Sequence, residues 1–302
     1  MISVVEDDPD LAAGILDELY PLASNKRTHV IGVSGAPGIG KSTLIDKLAK
    51  GYSSRQKRVG VIAVDPSSNF TGGAVLGDRS RMGGLTLDEK IYVRSMGTRG
   101  HMGGLSGSTM DAVTILRAFG YDKVIVETTG TGQNEVDVVN AVHTSVVVMM
   151  PGLGDGVQMI EAGSPEIGDV FALNKADVAG ADATYSELLS MIRLRYTDAP
   201  WVPPLVRTVA TMGERVDELS DAVESHYAYL VSSGELMKRE ERMFGSQVSV
   251  AVRSHFMRKF DQLLTSKEVY EIVREGMSSG KSPYRVAGDI LGKISSDDRL
   301  RA

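Results

Sequence analysis

The sequence predicts an α/β fold, with a mostly parallel central sheet flanked by helices and a helical arm at the C-terminus. Three observations carry this expectation. Short apolar, β-branched runs alternate with helical patterns, the signature of a parallel sheet covered on both faces. The first of those runs ends in a glycine-rich turn that opens a helix. Beyond Gly234 no strand pattern recurs, and the chain becomes helical and charged.

Taken in order, the chain starts with a helical lead-in to about Leu22, a short N-terminal extension over residues 1–25. A domain over residues 26–233 follows, with candidate strands at 29–33, 59–64, 91–94, 123–127, 145–150, 170–173 and 205–209. Helical patterns lie between most of them, for example at 110–119 and 183–195. In such sheets the ligand sits at the carboxyl ends of the strands. Residues 234–302 form the arm. Phe244, Val248, Val252, Phe256 and Phe260 recur every four residues there, continued by Ala251, Leu263 and Leu264. That stripe fits a helix packed on its own domain and a dimerisation arm equally well.

Composition narrows the classes. The 302 residues are 42% hydrophobic, enough for a packed core. No apolar run reaches the roughly 18 residues of a membrane span. The acidic start, from Met1 to Asp10, lacks the basic opening and apolar core of a signal peptide. The chain has no cysteine, which excludes disulfides and thiolate metal sites and fits a cytoplasmic protein. Its five histidines (His29, His101, His143, His226, His255) show no metal-ligand spacing. A net charge of −6 argues against bulk nucleic-acid binding.

The turn after the first strand is Gly35-Ala36-Pro37-Gly38-Ile39-Gly40-Lys41-Ser42, which fits the phosphate-loop pattern G-x-x-x-x-G-K-[ST]. Glycines let the backbone N–H groups turn inward around a polyphosphate. Lys41 can reach the β- and γ-phosphates, and the Ser42 hydroxyl can ligate Mg²⁺. The helix opening at Thr43 adds its dipole to the anion site. The fold expected is that of a P-loop nucleoside triphosphatase.

Asn174-Lys175-Ala176-Asp177 follows the 170–173 strand and fits N-K-x-D, the guanine-reading motif. An Asp177 carboxylate accepts from guanine N1–H and the 2-amino group, whereas adenine offers neither donor. A site built on such bonds rejects the wrong base strongly. Val209, Ala210 and Thr211, after the last strand, would offer backbone N–H groups to guanine O6. Glu127-Thr128-Thr129-Gly130 occupies the place of a D-x-x-G element, with Glu for Asp. There an acid can hold a Mg²⁺-bound water and the Gly130 N–H can sense a γ-phosphate. Asp65 and Asp78 complete the candidate metal shell with Ser42 and Glu127, and Lys41, Asp65 and Glu127 are the catalytic candidates. The water-orienting Gln that often follows the D-x-x-G glycine is absent; Thr131 stands there, and Gln133 comes two residues later. Slow intrinsic GTP hydrolysis, accelerated by a partner, is the expectation.

These segments, with Val64-Asp65-Pro66-Ser67-Ser68, Leu76-Gly77-Asp78-Arg79, Arg99-Gly100-His101-Met102-Gly103-Gly104-Leu105 and Pro151-Gly152-Leu153-Gly154-Asp155, resemble one family. It is the MeaB/ArgK-type G proteins, GTPase chaperones of adenosylcobalamin-dependent acyl-CoA mutases such as methylmalonyl-CoA mutase. The resemblance runs from about residue 26 to 215, and Gly280-Lys281-Ser282-Pro283-Tyr284 is similar to the family's C-terminal arm. It implies a homodimer whose GTP state gates cofactor loading and protects the mutase, with GTP or GDP and Mg²⁺ as cofactors. It also implies that Asn174 and Asp177 read guanine and that residues 97–107 form a switch. One departure is Glu161 in Gln158-Met159-Ile160-Glu161-Ala162-Gly163, an acid where the family carries a base, which points to a different client such as a hydroxyacyl-CoA mutase. The competing readings are a nickel-insertion GTPase, whose relatives normally carry Cys/His clusters, and a small-molecule kinase, which usually reads adenine.

Overall fold

A computed structural model describes residues 1–65, 85, 87–97, 107–128, 140–152 and 168–296 of the chain. Seven strands form one sheet: β1 (His29–Ser34), β2 (Val59–Asp65), β3 (Ile91–Gly97), β4 (Lys123–Glu127), β5 (Thr144–Met149), β6 (Val170–Leu173) and β7 (Leu205–Arg207). Their order is β3-β2-β4-β1-β5-β6-β7, and every pairing is parallel. The expected α/β architecture is therefore present, with the sheet wholly parallel. Such strands read as continuous apolar runs because both faces are covered. β1, β4, β5 and β6 are buried at every position.

Helices cover both faces. On one, α3 (Lys41–Ser54) and α6 (Val216–Ser233) pack Leu44, Ile45, Leu48, Leu219 and Val223 against Ile31, Val33, Val61 and Ile125. On the other, α1 (Ile2–Asp7), α2 (Pro9–Ser24) and α4 (Gly107–Ala118) cover Val30, Ile62, Val64, Val124 and Val126. The alternation of neighbours along each strand between these two cores follows from the two-residue period of a strand. α5 (Ala181–Arg195) closes a third cluster over β5 and β6 through Leu188 and Ile192.

A parallel sheet collects all strand starts on one edge. Here that edge carries a buried polar chain whose direction is fixed throughout. Lys123 Nζ lies 3.2 Å from His29 Nδ1 and also donates to Glu224 of α6. An ammonium only donates, so Nδ1 accepts and His29 carries its proton on Nε2. That Nε2–H reaches Thr144 Oγ1 at 2.8 Å, and the Thr144 hydroxyl then donates to His226 Nδ1, also at 2.8 Å. The remaining His226 Nε2–H faces Asp169 Oδ1 at 3.3 Å. The chain thus crosses β4, β1, β5 and the entrance of β6 in sheet order. Burial pushes His29 down to about 3 and His226 down to about 4, so both rings are neutral.

The next helix, α7 (Glu235–Leu264), is fastened to the same edge. Arg239 holds Asp169 through two bonds, at 2.6 and 3.2 Å. Glu240 accepts from Arg117 at 2.8 and 3.1 Å and pairs with His143 at 3.0 Å. The Val30 N–H donates to His143 Nδ1, which leaves the His143 proton on Nε2, facing Glu240.

The chain divides into two compact units, residues 1–247 and 248–302. The helical lead-in and the first residues of α7 therefore belong to the unit that contains the sheet. The second unit takes the rest of α7 with α8 (Lys267–Ser278) and α9 (Pro283–Ser296). Val269, Val286 and Ile290 form its buried cluster with Ile272 beside them. A side chain at Gly276 would place its Cβ 2.3 Å from Val286 Cγ2, so these helices meet at that glycine. Gly280 at φ +69° ends the turn after α8, and Pro283 opens α9, where its missing N–H is harmless. Val248, Val252 and Phe256 of the apolar stripe are exposed in this unit. Among the described residues no helix is long and apolar enough to cross a membrane.

Candidate functional site

The opposite edge of the sheet collects the strand ends, and there the predicted motifs converge on one cavity of about 860 Å³. Its lining includes Gly38, Gly40, Lys41, Ser42 and Thr43 from the phosphate loop, Glu127 from β4, and Asn174, Lys175 and Asp177 after β6. Val209, Ala210 and Thr211 after β7 join them, and Asp46, Lys50 and Val178 line it as well; the predicted Gly35, Ala36, Pro37 and Ile39 do not line it.

The phosphate loop takes its shape from glycine. Gly35, Gly38 and Gly40 have φ of +137°, +81° and +96°, a region L-residues avoid. A Cβ on Gly35 would lie 2.3 Å from the Val148 carbonyl oxygen, and one on Gly40 would lie 2.5 Å from Asn174 Nδ2. The Lys41 ammonium donates to the carbonyls of Gly35 at 2.8 Å and Ala36 at 3.1 Å, so the loop encircles its own lysine. Ile39 is buried beneath the loop, whereas Pro37 stays at its surface. Because α3 starts at Lys41, the N–H groups of its first turn, which have no acceptor within the helix, lie beside the loop.

Beside the loop, the Ser42 hydroxyl donates to Glu127 Oε1 at 2.7 Å. Glu127 is buried, as is its Oε2. This pair is a hard-oxygen donor set of the kind Mg²⁺ takes, one carboxylate and one hydroxyl, with substrate phosphate and water as the other ligands. Among the described residues no group of three or more His, Cys, Asp or Glu is gathered to hold a metal. Asp65 closes β2, two residues past Ala63, the register partner of Glu127. The Asp65 side chain lies outside the described residues, as do Asp78, Gly130, Gln133, Glu161 and most of the expected 97–107 switch.

The end of the cavity at Asn174 is held by a brace that the motif itself does not reveal. Asn174 Nδ2 donates to the Ile39 carbonyl at 2.8 Å, while its Oδ1 accepts from Ala210 N–H at 3.0 Å and Thr208 Oγ1 at 3.2 Å. One buried amide therefore ties the phosphate loop to the loop after β7. Lys175 adds a bond from Nζ to the Gly38 carbonyl at 3.0 Å, from a backbone at φ +56°. The Asp177 carboxylate is exposed to the cavity mouth. Asp46 and Lys50 were not among the sequence candidates, yet their spacing from Thr43 (i+3 and i+7) marks them as the same helix face.

The sequence model of the methylmalonyl-CoA mutase-associated GTPase MeaB matches residues 1–263. A Pyrococcus abyssi protein provisionally named a GTPase is 43% identical over 297 residues, 97% of this chain and 91% of the relative. The GTPase ArgK of Escherichia coli is 36% identical over 76% of this chain and 70% of its own length. The mouse mitochondrial methylmalonic aciduria type A homolog is 31% identical over 89% of this chain and 66% of its own length. Among solved structures, a LAO/AO transport system kinase superposes with a TM-score of 0.67 over 97% of this chain and 91% of that one. At 22% identity this likeness concerns the fold. Carrying the phosphate loop, the guanine motif and the family match together, the chain belongs to the MeaB family of methylmalonyl-CoA mutase-associated GTPases.

Proposed function

We propose that this chain binds GTP with Mg²⁺ in the cavity at the strand ends, hydrolyses it slowly alone, and serves an adenosylcobalamin-dependent acyl-CoA mutase as a nucleotide-gated chaperone. The observation that carries the reading is the meeting of phosphate, acid and base-reading groups in one cavity. Lys41 would balance the β- and γ-phosphate charge, and the N–H groups at the start of α3 would hold the phosphate oxygens. Asp177 would accept from the guanine edge, with Asn174 keeping the two flanking loops in place. Ser42 and Glu127 would hold Mg²⁺, which supplies charge stabilisation to the phosphoryl group when bound. Asp65, Asp78 and Gly130 belong to the proposed switch shell by motif.

The mutase client follows from the family, whose name couples it to methylmalonyl-CoA mutase. Glu161 favours a related client over that mutase itself. A homodimer formed through residues 234–302 is part of the same proposal, and exposed Val248, Val252 and Phe256 support it.

The test is GTP turnover by the full chain, alone and with candidate mutases. Strong stimulation by one mutase is the expected result; none with any mutase would refute the chaperone reading. Two variants test the site itself. Lys41→Ala removes a charge-assisted contact of about 1.5–3 kcal/mol, which lowers GTP affinity at least tenfold. Asp177→Asn shifts preference from GTP to xanthosine triphosphate, and an unchanged preference would mean that Asp177 does not read the base.

A further inference from the structure

One wall of the cavity starts at Thr43 of the phosphate loop and continues through two residues, Asp46 and Lys50, that have no part in the phosphate, metal or base assignments. It is the face of α3 formed by Thr43, Asp46 and Lys50, at i, i+3 and i+7. At 1.5 Å per residue, Asp46 lies about 8 Å and Lys50 about 14 Å beyond Lys41 along the helix axis. The wall thus runs away from the phosphate end. Asp177, Val178 and Thr211 line the same cavity at its base end.

An acid on this wall needs a reason. A carboxylate beside a polyphosphate is repelled, so Asp46 is suited to a part of the ligand that carries no negative charge. Its side chain is 17% exposed and is held by Lys50, whose Nζ donates to Oδ2 at 2.9 Å. That bond leaves Oδ1 as an acceptor, with no hydrogen bond to it among the described residues. Between the phosphates and the purine of a nucleotide lies the ribose, whose two neighbouring hydroxyls are donors. A carboxylate that accepts from a ribose hydroxyl is a recurring solution in nucleotide sites of other parallel sheets.

We propose that Asp46 is the ribose-reading residue of this site and that Lys50 is its positioning residue. The proposal rests on the guanine-nucleotide reading above and assigns the segment between its two ends. Lys50 holds one carboxylate oxygen and so presents the other to the 2′- or 3′-hydroxyl.

The test compares equilibrium binding of GTP with 2′-deoxy-GTP and 2′,3′-dideoxy-GTP by the full chain. The unmodified chain should prefer GTP over the dideoxy nucleotide about tenfold, the effect of one charge-assisted hydrogen bond. Asp46→Ala should weaken GTP by the same factor and leave dideoxy-GTP unchanged, which doubles as the control for folding. Lys50→Gln should reduce the preference in part. The 2′-deoxy nucleotide identifies which hydroxyl is read. Equal binding of GTP and dideoxy-GTP by the unmodified chain overturns the proposal, and so does an equal loss of both in Asp46→Ala. Asp177→Asn is measured alongside with xanthosine triphosphate. A gain there without ribose discrimination refutes the Asp46 assignment alone; no binding of any guanine nucleotide refutes both readings.

Discussion

The buried histidines make the stability of this protein acid-sensitive, in a window set by their pKa values. His29 moves from 6.5 to about 3 and His226 from 6.5 to about 4, both chiefly through burial. Each ring stays neutral when folded and takes up a proton once the chain unfolds below pH 6.5. Stability is therefore whole above the unfolded value and falls as the pH drops toward the folded one. At pH 5 the deficit relative to pH 7 is about 2 kcal/mol for each ring, about 4 together. Asp111 on α4 acts in the opposite direction: burial raises it from 3.8 to about 6. Its folded form binds a proton that the unfolded chain does not, which returns about 1 kcal/mol over the same interval. His143, also lowered by burial, adds to the loss. The net expectation is a stability lower by about 3 kcal/mol at pH 5 than at pH 7. Trp201 is the only tryptophan and the natural reporter. Its Nε1–H donates to the Asp169 carbonyl at 2.8 Å, and its ring lies 5.0 Å from that of His226. Denaturant unfolding of the nucleotide-free chain, followed by this fluorescence at both pH values, measures the difference. In His226→Gln the difference should shrink by about 2 kcal/mol. An equal pH dependence in both proteins would refute the assignment to this ring.

Other consequences are local. Gly40→Ala would force a Cβ at φ +96° to within 2.5 Å of Asn174 Nδ2, so the brace must open; GTP affinity should fall at least tenfold by direct titration, given strain of about 1–3 kcal/mol at such a position. Glu127→Gln keeps the Ser42 bond but loses the carboxylate charge. Turnover should drop about 100-fold, while GDP binding measured in EDTA stays unchanged. Arg239→Met would strand the Asp169 carboxylate, which is 10% exposed. Breaking a buried pair from one side removes about 3–5 kcal/mol, visible as a lower denaturant midpoint.

Elements defined by local pattern were legible in the sequence, and those defined by distant partners were not. All seven strands overlap apolar β-branched runs; in β1, β4, β5 and β6 burial on both faces makes those runs continuous. The third strand continues past the expected Arg94 to Gly97. Arg94 sits within it because it pairs with Glu6 of α1 at 2.6 Å, a partner 88 residues away. The last strand ends at Arg207, short of Val209, because Val209 bonds with Glu214 in a turn. The phosphate loop and N-K-x-D were readable because each is a contiguous run whose chemistry is set by its own spacing. Asn174 shows the limit. Its type and position were visible, but its brace joins Ile39, 135 positions away, to Ala210, 36 away.

The histidines mark the same limit from the other side. His29, His143 and His226 have no ligand spacing, so nothing in their order along the chain groups them. Topology does, because β1 and β5 are adjacent and α6 packs across their entrances. The two ends of these strands then carry unlike chemistry for one physical reason. A parallel sheet places every start on one edge and every end on the other. β4 begins at Lys123 in the polar chain and ends at Glu127 in the cavity, and β1 runs from His29 to the phosphate loop. The ends line the cavity, where Lys41, Ser42, Glu127 and Asn174 meet. The starts are sealed by α6 and α7, and sealing charged groups requires that each find a partner. Lys123 with Glu224, Asp169 with Arg239, and Glu240 with Arg117 meet that requirement. The neutral histidines and Thr144 then carry the hydrogen bonding from one charged group to the next without adding a charge of their own.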